Sequence, residues 1–224
     1  MTDLPDWMLP IRDGARAITG EDITKFLPPE DTDARPGAVL MLFGEGEHGP
    51  DLLLTERAHN MRSHPGQVSF PGGSVDPTDA SPVAAALREA EEEVGLDPAW
   101  VEVLATLPEL WLPPSNFAVT PVLGWWRENG PVGVVDPAEV HAVYRVPIEE
   151  LLDPANRVTV RHPNGYSSPG FLMSDGDREV LLWGFTAGLI TKLFDYVGLT
   201  RPWDASVTRE LPGYMLGVRQ DESR

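Results

Sequence analysis

The sequence contains no cysteine. Disulfides and thiolate metal sites are therefore excluded, as suits a protein of the reducing cytosol. It also lacks any apolar run long enough to cross a bilayer. Its start, MTDLPDWMLP, has neither the basic flank nor the apolar core of a secretory signal. Both absences lead to the expectation of a cytoplasmic protein. Positive charge is scarce: 17 Lys and Arg stand against 35 Asp and Glu, a net charge of −18. Nucleic acid and anionic membranes are bound through basic surface, so neither is expected as a partner. An anionic substrate would have to be met by a local basic cluster or by a bound metal. Internal repeats and long low-complexity tracts are missing as well.

What is present suits one sizeable domain. The chain has 224 residues, 42% of them apolar, ample for a core that needs no covalent staple. Residues 1–36, rich in Pro and Asp, are expected to form an N-terminal arm with a short helix or two, packed on a domain over 37–200; a C-terminal tail is expected over 201–224. GAVLMLF (37–43) and DLLLTER (51–57), separated by EGEHGP, predict a hairpin. The long irregular stretch 57–80 is punctuated by Gly and Pro, and loops of that length in a compact domain are usually functional. A helix is predicted at about 82–94, strands at 101–107, 118–126 and 139–146, a helical turn at PIEELLD, a hairpin within 157–173 and a helix over about 181–197. Strands and helices mix without strict alternation. The fold class is therefore α/β in the broad sense (α+β), a mixed sheet sandwiched by helices.

The most unusual segment is REAEEEVGL, Arg88 to Leu96, in the predicted helix over 82–94. Ser81 can cap that helix, Pro82 suits its first position, and Gly95 suits the left-handed residue beyond its end. Val83, Leu87, Ala90 and Val94 make an apolar stripe, while Glu89, Glu92 and Glu93 share an arc on the other side. Glu89 and Glu93 repel at i, i+4 by roughly 0.2–0.5 kcal/mol. All three sit near the helix C-terminus, where each exposed anion costs roughly 0.3–1 kcal/mol. Two readings stand on the helix alone. One is a solvated polar face; the other is a site for a hard divalent cation, which takes oxygen ligands and leaves room for substrate phosphates.

FPGGSVD (70–76) followed by REAEEEVGL resembles the signature of the Nudix hydrolases: Gly, five residues, Glu, seven residues, then Arg-Glu-apolar-x-Glu-Glu-x-Gly-apolar. Arg88, Glu89, Ala90, Glu92, Glu93, Gly95 and Leu96 match at every fixed position of the second half. The first half departs: counting from Gly73, Asp79 stands where Glu is expected, and eight residues rather than seven precede Arg88. A second stretch, LLTERAHNMRSHPGQVSFPGG (53–73), is similar to the segment that precedes the signature in coenzyme A pyrophosphatases. Leu53, Leu54, Thr55, Arg57, Arg62, Gly66, Phe70, Pro71, Gly72 and Gly73 are in register, with Ala58 in place of Ser.

The resemblance implies a Nudix-type α/β/α sandwich and cleavage of coenzyme A into 4′-phosphopantetheine and 3′,5′-ADP, with Mg²⁺ or Mn²⁺ as cofactor. It implies Glu89, Glu92 and Glu93 as metal ligands. Arg88 is implied to hold a ligand glutamate in place, and Glu139, ahead of a late strand, to act as general base, with Glu109 as the second candidate. Glu92 and Arg88 thus join Glu139 in the catalytic set. Arg57 and Arg62 are placed to clasp phosphate oxygens. Gly72 and Gly73 let the backbone approach the site closely; a plain tight turn is the other reading. His64, Trp111, Phe117, Trp125 and Trp126 receive no role. The expected partner is a small nucleotide of the coenzyme A type, with a homodimer as an open option. Two alternatives compete: a Nudix pyrophosphatase for ADP-ribose or NADH, and a nucleotide-sensing Nudix domain without activity.

Overall fold

The computed structural model describes residues 4–24, 33–61, 64–113, 115–163 and 165–216. Helices α1 (Met8–Ala17) and α2 (Gly20–Ile23) precede the long hairpin β1 (Arg35–Gly46) and β2 (Gly49–Arg57). The irregular stretch that follows carries two short strands, β3 (Val68–Ser69) and β4 (Gly72–Ser74), and then α3 (Pro82–Val94). Beyond α3 come β5 (Val101–Thr106), β6 (Leu110–Leu112), β7 (Phe117–Trp126), β8 (Val140–Pro147) and α4 (Ile148–Leu152). The chain continues through β9 (Arg157–Arg161), β10 (Ser167–Asp175), β11 (Arg178–Leu182), α5 (Gly184–Tyr196) and β12 (Thr208–Glu210).

The main sheet is mixed, as predicted. β1 pairs with β7 in parallel over Arg35–Phe43, and its remaining partners are antiparallel. The β1–β2 hairpin holds together only from Phe43↔Leu52 to Gly46↔Gly49. At its open end the chain returns as a wedge. β3 pairs with Thr55 and Glu56 of β2, and β4 pairs with Gly37–Val39 of β1. β8 closes the other edge of β2.

Period-2 alternation sorts the two faces. Ala38, Leu40, Leu42, Leu53 and Val122 pack with Ala85, Ala86, Ala90 and Val94 of α3. Met41, Phe43, Leu52, Leu54 and Leu123 pack on the opposite face with Met8 and Ile11 of α1, Leu189, Ile190 and Phe194 of α5, and Phe171 of β10. Helix, sheet and helix therefore form three layers, with a second sheet, in the order β11-β10-β9-β12, beside them.

The C-terminal helix begins later than its apolar spacing predicts. Leu181 and Leu182 end a strand, paired with Leu172 and Phe171, and the chain turns at Gly184, with φ +73°, where α5 starts. A short apolar run satisfies either periodicity, and the available strand partner decides between them. In the C-terminal segment, β12 runs parallel to β9, and Leu211 and Met215 are buried with Val158 and Val160. RQDESR lies outside the described residues. No helix among the described residues is long and apolar enough to cross a membrane.

Candidate active site

α3 is built from local signals. The Ser81 hydroxyl accepts the Ala84 N–H at 3.2 Å, Pro82 opens the first turn, and Gly95 closes the helix with φ +71°. The last carbonyls are capped from a distant loop. Val135 N–H donates to Glu93 O at 3.2 Å, and Gly133 N–H to Val94 O at 3.0 Å. These donors offset part of the negative helix end beside the glutamates.

The helix is rolled relative to the expected stripe. Ala85, Ala86, Ala90, Glu93 and Val94 are buried, whereas Val83 and Leu87 are only half-buried. The small alanines allow close approach to the sheet, and the roll turns Glu93 under the β4 wedge, where it is 5% exposed. Gly72 N–H donates to its carboxylate at 3.2 Å. A Cβ on Gly73 would lie 2.6 Å from the Glu89 carboxyl carbon, and one on Gly72, which has φ +153°, would lie 2.3 Å from Ala38 O. Gly72 therefore requires glycine, because its backbone rests on β1, and a side chain at Gly73 would push the Glu89 carboxylate aside.

Burial is the main force on Glu93 and pushes its carboxyl up to about 7. The Gly72 N–H and Arg57 oppose this shift, while Glu89 and Glu139 add to it. Glu89 is raised by burial too, with Glu92 and Glu139 adding and Arg88 opposing. The structure thus brings Glu89, Glu93, Glu139 and Arg57 into one electrostatic neighbourhood. Glu92 is more open, with its side chain 60% exposed, and is tied to Arg88. Glu109 is exposed just ahead of β6, and Arg62 lies outside the described residues.

Arg57 leaves β2 with its backbone pinned: its N–H donates to Gln67 O at 3.0 Å, and its carbonyl accepts the Gly66 N–H at 3.2 Å. Its buried Nε has no hydrogen-bond partner among the described residues. Glu139 is fixed through its own carbonyl, which accepts the Ala58 N–H at 2.8 Å.

Arg88 is the hub of the outer rim. Its Nε and Nη2 grip both oxygens of Asp79 at 3.1 and 3.0 Å, Nη2 also reaches Ser74 O at 3.1 Å, and Nη1 reaches Glu92 at 2.9 Å and Glu89 at 3.1 Å. The bond to Arg88 holds the Asp79 carboxyl below its usual range. The departure from the signature therefore has a structural account. The 76–79 turn, closed by Asp79 N–H to Asp76 O at 2.9 Å, carries the shorter acid back to the arginine. The position in the motif was the signal; the partner could be read only from the fold.

The aromatic side chains left without a role divide. Trp125 and Trp126 are core residues; Trp125 meets Trp7 edge-on at 5.7 Å, and Arg145 stacks over Trp126 at 4.5 Å. Trp111 donates to Asn116, and Arg35 covers Phe117. Two buried carboxylates, Asp51 and Glu56, escaped the motif reading altogether. Glu56 is 1% exposed, and it ends an unbroken buried run of β2 from Asp51 onward that gives no alternation to single it out.

The donor set suits a hard divalent cation. Glu89, Glu92, Glu93 and Glu139 offer carboxylate oxygens, and among the described residues the buried Glu93 has one hydrogen-bond donor but two acidic neighbours.

The NUDIX domain profile matches residues 33–166. An uncharacterised Nudix hydrolase, NudL, of Enterobacter sp. (strain 638) is 40% identical over 176 residues, covering 74% of this chain and 84% of its own. NudL of Shigella flexneri is 40% identical over 158 residues, covering 67% and 77%. Among solved structures, the Nudix hydrolase RenU of M. smegmatis superposes with a TM-score of 0.52 at 18% identity, over 76% of this chain and 90% of its own, a likeness of fold.

Proposed function

The chain belongs to the Nudix family, hydrolases that use divalent metal ions to cleave pyrophosphate bonds of nucleoside diphosphate derivatives, and on that premise we propose that its substrate is coenzyme A, cleaved in the cytoplasm to 4′-phosphopantetheine and 3′,5′-ADP. The observation that carries this reading is the 53–73 segment, which ends its strand on Arg57 and returns at Gly72 and Gly73 onto the carboxylates of α3. Coenzyme A has a diphosphate and a further 3′-phosphate. In so acidic a protein, an arginine with an unpartnered, buried Nε beside the carboxylate cluster is suited to receive such a ligand.

Glu89, Glu92 and Glu93 would hold Mg²⁺ or Mn²⁺, with Glu139 at the edge of the same cluster. When bound, the metal neutralises phosphoryl charge and makes water more acidic. The chain's own groups do the rest. Glu139 takes the proton of the attacking water as general base. Arg57 donates to phosphoryl oxygens as charge develops there, and so fixes the diphosphate in line for attack. Arg88, held by Asp79, positions Glu92 and Glu89 rather than touching substrate. The water oxygen joins one phosphorus, the P–O–P bridge breaks, and each product keeps one phosphate of the former diphosphate, 3′,5′-ADP carrying the 3′-phosphate besides.

The test is a product assay. Coenzyme A, ADP-ribose, NADH and a diadenosine polyphosphate are incubated separately with Mg²⁺ or Mn²⁺ and with chelator, and the products are identified by mass. Metal-dependent release of 3′,5′-ADP from coenzyme A above the others is the expected result. Preferential cleavage of another compound would retire the coenzyme A reading and give weight to Ala58, the one departure in the 53–73 segment. No turnover of any compound would point to a sensor.

A further inference from the structure

We propose that Glu56, His59 and His141 form a second metal site, suited to a borderline transition-metal dication such as Zn²⁺ and distinct from the oxygen-lined cluster on α3. One ligand atom from each of the three lies within 4.8 Å of the others. The two imidazole rings meet edge-on at 4.6 Å, and His59 Nε2 stands 2.8 Å from Glu56 Oε1. Two imidazoles with one carboxylate make a donor set for zinc-class ions and a poor one for Mg²⁺, which prefers oxygen throughout.

Two features point to a built arrangement. The first is a bulge: Glu56 pairs with Ala142 and Arg57 with Val140, so His141 is the extra residue between them. Such bulges re-aim a side chain, here toward His59 across the strand pair. The second is the outer support of the carboxylate. Arg178 donates to Oε1 at 3.0 Å and to Oε2 at 2.6 Å, and the Tyr144 hydroxyl donates to Oε2. These bonds hold Glu56 in one orientation, as outer-shell partners do for metal-ligating carboxylates. The remaining lone pair of Oε1, now facing His59, is the one a cation would take.

Charge does not forbid the ion. Asp175 lies 2.8 Å from Arg178, so two carboxylates, Glu56 and Asp175, face one guanidinium and leave the pocket net acidic. The His59 side chain is 43% exposed and His141 is exposed, so an ion can enter from solvent. An inter-sheet ion pair alone would account for Arg178, but not for two histidines converging at a bulge.

Such an ion would bridge the exit of β2 to the entrance of β8. His59 is two residues beyond Arg57, His141 is two beyond Glu139, and Ala58 N–H already bonds Glu139 O. Any effect of occupancy on turnover rests on the roles proposed for Arg57 and Glu139; the site itself does not.

Calorimetric titration of the full chain with Zn²⁺, in excess Mg²⁺ to fill the acidic cluster, tests the assignment without reference to activity. One equivalent should bind. H59A and H141A should each weaken it by at least about tenfold, the double variant should abolish it, and E89Q/E93Q should retain it. Co²⁺ in place of Zn²⁺ should give visible absorption bands in the wild type and not in H59A/H141A. Thermal melts in chelator check that the histidine variants fold. Absence of Zn²⁺ binding in excess Mg²⁺ would overturn the proposal, as would binding that H59A/H141A leaves unchanged or that E89Q/E93Q removes.

Discussion

Two glutamates of this protein are almost equally buried, on opposite faces of one sheet, and they are driven in opposite directions. Glu93, 5% exposed, has one backbone N–H as donor and carboxylates as neighbours, and its carboxyl is pushed up to about 7. Glu56, 1% exposed, also feels burial as the largest force, yet Arg178, Tyr144 and His59 together outweigh it and hold the carboxyl at about 2. Burial alone therefore decides nothing about a charge; the supply of donors does. The Glu56 knot is satisfied by the protein and joins the second sheet to the first. In the α3 cluster Arg88 pairs with Glu89 and Glu92, while among the described residues Glu93 has no ion-pair partner, which is the condition under which a bound ion and a phosphate chain gain most.

The largest expected effect comes from breaking the satisfied side. R178A leaves Glu56 buried without its guanidinium and should cost about 3–5 kcal/mol in urea unfolding, whereas replacing both partners by methionine should recover much of that loss. On the unsatisfied side the expected cost is in rate instead. E93Q should lower metal-dependent turnover by at least about 100-fold, while in chelator it should melt no lower than the wild type, because a repelling charge has gone. A lower melting temperature of E93Q in chelator would show that the cluster is not strained.

Mg²⁺ should then stabilise the α3 side selectively. At a Mg²⁺ concentration about 100 times its dissociation constant, the wild type should gain about 2.7 kcal/mol, and E93Q much less, by thermal melts with and without chelator. Acid should act on the other side. The Glu56 carboxyl is depressed from 4.5 to about 2, so its contribution to stability is complete above about pH 4.5 and is lost as the pH falls toward 2. Acid unfolding in chelator should show this loss in the wild type and not in E56Q. The smallest effect is expected at the rim. D79N, which weakens the grip on Arg88, should reduce turnover by roughly tenfold, in the range of outer-shell substitutions, and D79E should restore part of it.

Much of α3 was legible because its signals are local. Ser81, Pro82 and Gly95 act within a turn of themselves, and Glu89, Glu92 and Glu93 follow one another at fixed helical angles. The glycine pair was legible as close backbone approach, although only the fold shows that Gly73 rests on Glu89. The orientation of the helix was legible only in part: Ala90 and Val94 of the expected stripe are buried, and Val83 and Leu87 pack at the edge of the same core. Val83 and Leu87 are more apolar than Ala85 and Ala86, yet the alanines are the ones buried, since small side chains let the helix come near the sheet. Asp79 looked like a defect in a motif until its turn returned it to Arg88.

The sequence by itself determined the strands and helices with strong periodicity, the capped acidic helix, and the Arg- and Gly-bearing segment that precedes it. Each of these depends on neighbours within a few residues, where the geometry of the chain leaves little choice. Only the tertiary structure decided that Glu139, 46 residues beyond Glu93, shares its electrostatic neighbourhood, that Arg178 neutralises Glu56 from another sheet, and that a bulge turns His141 toward His59. Those pairings join residues far apart in the chain, and no local preference specifies them; they follow from which strands find each other as the apolar faces close.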